Sequence, residues 1–401
     1  MKQLLSLFVL SFLLTTNTMA DVFNVNMTVG GSTQAFGFSD IESVIDAIKV
    51  DKIDDRFTSY TGAELLNVSV DFRGLPLTLS AVANSNSIRL QIPSIGVDET
   101  FAGTSRDDSN ESFKNWLKNE GGSALNNLMK KLVEQTPHDP LAGNPNSLMS
   151  KMVGNDFDRG RDGNSTRAST SGVNTNLLSI GVKASQFDQN GIDGKSLSLP
   201  IGYTVKFDDD PRKQLIIDMP ISYYSLEDAK TYSLGLGAGF RFPINDMWSL
   251  TPFLGTGIVG SVDMGSVGQL ISTGITSDFT RKLNDKYRIG VGNMLGYYTT
   301  KKIKVSDIES DADITNTVFR NAVNFSFIHP FFFGKEVESE VFLFDTRYFG
   351  DVLYMEQYNE FGLSIGTNRD KQDVSRLMRF GLSYLFSSKT KGFSFNFGYA
   401  F

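Results

Sequence analysis

The sequence predicts a mainly β protein, in which a C-terminal transmembrane antiparallel β-barrel of about twelve strands follows a small α+β soluble domain. Three observations predict it. Apolar residues alternate with small or polar ones, with a period of two, in segment after segment of residues 176–401. Apart from a short run at the N-terminus, no stretch approaches the roughly 20 apolar residues that a membrane-spanning helix needs. The 401 residues include 37 glycines and 32 phenylalanines at only 40% hydrophobic content, which suits a barrel that is apolar outside and polar or small inside.

Residues 1–20 read as a secretory signal peptide: Lys2, an apolar run from Leu4 to Leu14, then Thr18-Met19-Ala20 as a small-residue cleavage site. Asp21 is then the first mature residue. Residues 21–155 read as the α+β domain. In Asp40–Ile48, Ile41, Val44, Ile45 and Ile48 share one helical face after a Ser39 cap. Leu66–Phe72, Leu75–Val82 and Ser87–Ile92 form a strand meander broken at Arg73-Gly74 and Asn84-Ser85-Asn86. Ser109 or Asn110 caps a helix with Phe113, Trp116 and Leu117, interrupted at Gly121-Gly122, and a second helix carries Leu125, Leu128, Met129 and Leu132. Asn144–Val153 starts a short third helix.

Residues 156–175, rich in Gly, Asp, Arg, Ser and Thr and without apolar periodicity, read as a flexible linker. Its first seventeen residues reach at most roughly 55 Å extended, enough to cross a hydrocarbon core of about 30 Å. Length therefore permits a linker that stays on the barrel's near side or one that threads its lumen.

The barrel strands fall near 176–187, 196–207, 213–224, 230–243, 247–261, 268–281, 286–299, 315–328, 336–349, 357–368, 376–387 and 392–401. An even number returns both barrel ends to the periplasmic side. Asp208-Asp209-Asp210-Pro211, Asn245-Asp246 and Asn284-Asp285 are then periplasmic turns, and the long acidic loop from Lys302 to Thr315 lies opposite. That loop reads as solvated acid rather than a calcium site. The last strand is the clearest, with Phe393, Phe395, Phe397, Tyr399 and Phe401 on one face and Ser394, Asn396, Gly398 and Ala400 on the other.

With no cysteine in the chain, disulfides, thiolate metal sites and a lipidated cysteine are all excluded. A net charge of -7 offers no basic field for nucleic acid. No cofactor or metal motif is present, and the two histidines, His138 in a loop and His329 in a turn before Pro330, have no nucleophile-elbow serine beside them. The sequence therefore predicts no catalytic site and no enzyme. Lys206, Arg241, Arg288 and Arg379 fall on lumen-facing positions near the periplasmic strand ends. They form a basic ring that biases permeation toward anions, or they pair with lumen carboxylates such as Asp218, Asp345 and Glu360.

Signal peptide, soluble segment, barrel and an aromatic last strand ending in Phe401 together resemble an autotransporter-type outer-membrane protein. The alternating Phe393, Phe395, Phe397, Tyr399 and Phe401 are similar to the signal read by the barrel-insertion machinery. The resemblance implies a monomeric barrel in the outer membrane of a Gram-negative bacterium, with lipid, periplasmic chaperones and the insertion machinery as partners. It also implies a helix in the pore just before the first strand. Gly160, Gly163 and Gly172 disfavour a helix there, which leaves the segment Asn146–Val153 to serve. Two functions follow as expectations: a barrel that anchors or translocates a small N-terminal passenger or interaction domain, or a porin-like channel for small solutes with that domain as a periplasmic appendage or plug. Lumenal glycines Gly235, Gly237, Gly239, Gly290, Gly292 and Gly296 leave room for either a threaded segment or a solute.

Overall fold

The computed structural model describes residues 23–38, 43, 47, 50–58, 60–119, 121–161, 176–226, 229–261, 266–305, 308–310, 312–330, 336–368 and 377–400. The signal peptide, the linker beyond Arg161 and Phe401 lie outside these. So does most of the helix expected at Asp40–Ile48, of which Ser43 and Ala47 are helical.

The N-terminal domain is a six-stranded antiparallel sheet in the order β2-β1-β3-β4-β5-β6. The expected meander is β3 (Leu66–Phe72), β4 (Leu75–Ala81) and β5 (Ile88–Ile92), joined by β6 (Val97–Phe101). The sheet also holds a hairpin that the sequence reading missed, β1 (Phe23–Val29) and β2 (Ser32–Phe38), turned at Gly30-Gly31 with positive φ. In β1 the alternation is plain: Phe23, Val25, Met27 and Val29 are buried. Beyond the helical Ser43 and Ala47, the described residues hold the helices α1 (Val50–Arg56), α2 (Arg106–Asn119), α3 (Gly121–Gln135) and α4 (Leu148–Gly160). Helix α2 begins three residues before the expected Ser109 cap. Ser109 instead sits inside it, accepting from the Gly103 amide and donating to the Asn86 carbonyl, and so ties the helix to the sheet.

Twelve antiparallel strands close the barrel: β7 (Leu177–Gln189), β8 (Ile192–Lys206), β9 (Gln214–Leu226), β10 (Ala229–Pro243), β11 (Trp248–Ser261), β12 (Ser266–Lys282), β13 (Tyr287–Lys301), β16 (Thr315–Pro330), β17 (Glu336–Gly350), β18 (Gln357–Thr367), β19 (Leu377–Phe386) and β20 (Lys391–Ala400). The short hairpin β14 (Ile303–Val305) and β15 (Ile308–Ser310) lies in the long loop between β13 and β16. Closure is made by β20 against β7, with Ala400 opposite Ser179 and Lys391 opposite Asp188. Closure leaves no open sheet edge, the condition for spanning lipid with strands. Outward residues such as Leu199, Ile217, Leu236, Leu254, Phe361 and Leu382 are exposed apolar side chains.

One sector departs from that apolar wall. Asn293, Asn321, Asp345 and Asn359 stand directly opposite one another on β13, β16, β17 and β18, all outward. Hydrogen bonds satisfy three of them: the Asn293 amide donates to Asn321 at 2.8 Å, and neighbouring Arg347 and Gln357 donate to Asp345 at 3.0 and 3.2 Å. Asp345, expected in the lumen, is therefore on the outer face. His329, expected in a turn, lies in β16, stacked on Phe327.

Candidate lumenal site

Helix α4 occupies the barrel. Ser147 caps it, accepting from the Ser150 amide, and its apolar residues meet the inner faces of β10 to β13. Leu148 approaches Gly257 of β11, Asp156 reaches Ser272 of β12, Gly160 rests on Thr276, and Arg161 nears Asp278. Along β12 these contacts move steadily from the Ser266 end to the Lys282 end. The helix thus descends the lumen from the end carrying the β13–β16 loop to the end where β7 begins. Thirteen residues at about 1.5 Å each cover roughly 20 Å of that depth. The boundary placed at 155/156 falls inside this helix, so its last five residues are lumenal plug, not linker.

Glycine on both surfaces makes the approach possible. A Cβ at Gly160 would collide with Thr276, one at Gly237 with the Arg159 guanidinium, and one at Gly292 with Arg161 and Phe157. The lumenal space around Gly237, Gly239 and Gly292 is therefore filled by the threaded helix. Gly160, which disfavours helix by intrinsic propensity, is kept at the last helical position by this packing.

Polar anchoring is concentrated on Arg159. Its guanidinium donates to both carboxylate oxygens of Asp218 on β9, at 2.6 and 3.1 Å, and to Asp156 at 2.7 Å. Asp156 also accepts from Ser272 and from the Tyr298 hydroxyl at 2.8 and 2.9 Å. Arg159, Asp156 and Asp218 are each only 2% exposed, so each charge depends on the others for compensation. Lower down, Arg161 donates to Asn324 at 2.7 Å, and Asn324 donates in turn to Glu340 at 2.9 Å.

Between these layers Phe157 packs edge-on against Phe344, and the Arg161 and Arg320 guanidinia lie over both rings at 4.8 to 5.2 Å. Such contacts gain strength when the cation is desolvated. They require Phe342 and Phe344 to face inward, with Glu338, Glu340, Thr346 and Tyr348, which sends Asp345 outward.

The four basic residues singled out from the sequence all face inward near the termini end, but in two separate places. Lys206 and Arg241 flank Gln214 on β8, β9 and β10. Arg288 and Arg379 converge on Glu338, at 3.2 and 3.7 Å. Of the carboxylates expected to pair with them, Asp218 is taken by Arg159 and Glu360 by Arg320 at 3.0 Å. Glu338 and Glu340 were missed; their even spacing with Phe342 and Phe344 on β17 is the sequence signal that would have found them. In the last strand, Phe393 and Phe397 pack in tilted contact with Tyr384 and Phe380 of β19.

At the other end the N-terminal domain seats on the barrel loops. Lys130 of α3 pairs with Asp351 at 2.7 Å, and the Tyr354 and Met355 amides donate to the carbonyls of Val133 and Gly143. The connection from α3 to α4 is buried and polar. Asp139 accepts from the Leu141 and Ala142 amides, and burial pushes its carboxyl up to about 6, with Arg73 opposing. Burial, together with the Arg73 charge, pulls His138 down to about 4. Arg73 itself, at a positive φ of 53° in the β3–β4 turn, is lowered to about 10 by burial.

His329 Nε2 and Ser339 Oγ are 2.9 Å apart across β16 and β17, a juxtaposition the sequence did not suggest. Among the described residues no cluster of metal-ligating side chains occurs.

The closed twelve-strand barrel with its apolar outer face has the form of a barrel that spans lipid. No family model matches the chain, and no curated protein does. Similar solved structures include the β domain of the Bordetella autotransporter BrkA, at 14% identity over 56% of this chain and 98% of that one, with a TM-score of 0.44. They also include the translocator domain of the autotransporter NalP from Neisseria meningitidis, at 14% identity over 63% of this chain and 95% of that one, TM-score 0.44. An outer membrane channel from Pseudomonas putida F1 aligns at 9% identity over 57% of this chain and 95% of that one, TM-score 0.40. The likeness is one of barrel architecture, shared by autotransporter domains and channels.

Proposed function

We propose that this protein is an autotransporter-type display barrel, whose lumen passes the N-terminal α+β domain outward and then retains α4 as its plug. One observation carries this reading. Within the lumen α4 runs from Ser147 at the loop end to Arg161 beside Asp278, at the barrel end where β7 begins. With both barrel ends periplasmic, as an even strand number requires, the domain seated on the loops faces the cell exterior. Its fixed seat through Lys130–Asp351 and the Val133 and Gly143 carbonyls favours an anchored domain over one that is shed.

The test is protease access on intact cells to an epitope in the β1–β2 turn at Gly30-Gly31. One control epitope sits in the β13–β16 loop, a second in the Asp208–Pro211 turn. The reading expects the first two to be cleaved without permeabilisation and the third only after it. A protected Gly30-Gly31 epitope beside a cleaved loop epitope would refute it.

A further inference from the structure

Helix α4 does not fill the barrel. Its Leu148, Met152, Asp156 and Arg159 press on the β10–β12 side, whereas Lys151, Gly154, Asn155 and Asp158, spaced as one helical face, look across a cavity of about 190 Å³. That volume holds roughly ten waters. The cavity runs from Asn146 and Phe187 near the loop end to Ser179 and Arg379 near the termini end, between α4 and the inner faces of β7, β8 and β17 to β20. Serine hydroxyls line much of it, among them Ser185, Ser196, Ser198, Ser222, Ser383 and Ser394.

Its charge is unbalanced. Among the described residues that line it, four cationic side chains, Lys151, Lys183, Arg320 and Arg379, face two carboxylates, Asp158 and Glu360. Arg320 is matched by Glu360 at 3.0 Å, and Arg379 by Glu338 at 3.7 Å. Among the described residues neither Lys151 nor Lys183 has a carboxylate within salt-bridge distance. They are close enough to repel each other, while Lys183 also interacts at longer range with Glu360 and Lys151 lies 5.8 Å from the Tyr224 ring. Two like charges lining one water-accessible slot attract a counter-ion, and hydroxyl donors around them complete an anion's coordination.

We propose that this slot is an anion-selective pathway alongside the plug, in which Lys151 of the helix and Lys183 of β7 together hold a small inorganic anion. The proposal concerns the space beside α4 and does not require the domain to be displayed. The probe is chloride: purified full-length protein in a planar bilayer under a potassium chloride gradient, with the permeability ratio of chloride to potassium read from the reversal potential. The ratio should exceed one in the wild type, fall toward one in Lys151→Gln/Lys183→Gln, and drop below one in Lys151→Glu/Lys183→Glu. Heat-shifted gel migration identifies folded barrels, and the Gly30-Gly31 epitope assay on the same variants reports display separately. Conductance no higher than that of the bare bilayer, a wild type that prefers potassium, or a ratio unchanged in folded variants would each overturn the proposal. Loss of display with the ratios as expected would count against the display reading alone.

Discussion

Removing the Arg159 guanidinium should undock the plug helix while leaving the barrel closed. In Arg159→Met, Asp218 loses both its hydrogen bonds to a cation and Asp156 keeps only Ser272 and Tyr298. Both carboxylates are 2% exposed, and breaking a buried ion pair by deleting one partner costs about 3–5 kcal/mol. At about 1.4 kcal/mol per tenfold change, exchange of the α4 amides should accelerate by about 10²-fold or more. Hydrogen exchange followed by mass spectrometry on detergent-solubilised protein reads this directly, with the β12 and β13 amides as an internal reference. Arg212→Met, which breaks an ion pair whose arginine is 46% exposed, is the control and should change α4 exchange by less than fivefold. The double variant Arg159→Met/Asp218→Leu should recover part of the protection, because one of the two buried carboxylates goes with its partner while Asp156 stays. A rise of less than tenfold in Arg159→Met, or an equal rise in the control, would refute the view that this pair holds the helix.

Gly160→Ala and Gly237→Ala should each loosen α4 through collision with Thr276 and with Arg159, at about 1–3 kcal/mol apiece, seen as faster α4 exchange with an unchanged heat shift of the barrel. On the outer wall, Asn321→Leu alone should lower the unfolding midpoint in detergent, because it strands Asn293, at a cost of about 1–3 kcal/mol. Adding Asn293→Leu should restore it or raise it above wild type. Two opposing titrations meet between α3 and α4. The Asp139 carboxyl, raised to about 6, disfavours the folded domain above that pH and is relieved as pH falls through 6. Lowered to about 4, His138 withdraws stability as pH falls from 6.5 through 4, since the unfolded chain takes the proton first. Trp116 fluorescence during denaturant unfolding should accordingly show little pH dependence in the wild type over this window. Acidification should stabilise His138→Gln and destabilise Asp139→Asn, and the same sign in both would show that these groups do not set the response.

The strands of the barrel are legible residue by residue because lipid outside and a crowded lumen inside impose opposite chemistry at every second position, as in Leu234, Leu236 and Phe242 against Gly235, Gly237 and Arg241. The meander from Leu66 to Ile92 is legible for the same reason, one sheet face being buried. The β1–β2 hairpin is half legible: β1 alternates cleanly, while β2 is an edge strand largely exposed on both faces and has no apolar pattern to read. Where alternation misleads, tertiary demands override it. Phe342 and Phe344 face inward because Phe157, Arg161 and Arg320 need aromatic partners there, and Asp345 is turned outward as a result.

The sequence by itself determined that this chain closes a twelve-strand barrel behind a separate α+β domain, since period-two patterning is a local property written along each strand. Only the tertiary structure decided that α4 threads the lumen, that the domain sits at the loop end, and that Arg159 meets Asp218. Those pairings join residues far apart in the chain. Gly160 and Arg159 look like linker residues until Thr276 and Asp218 stand opposite them.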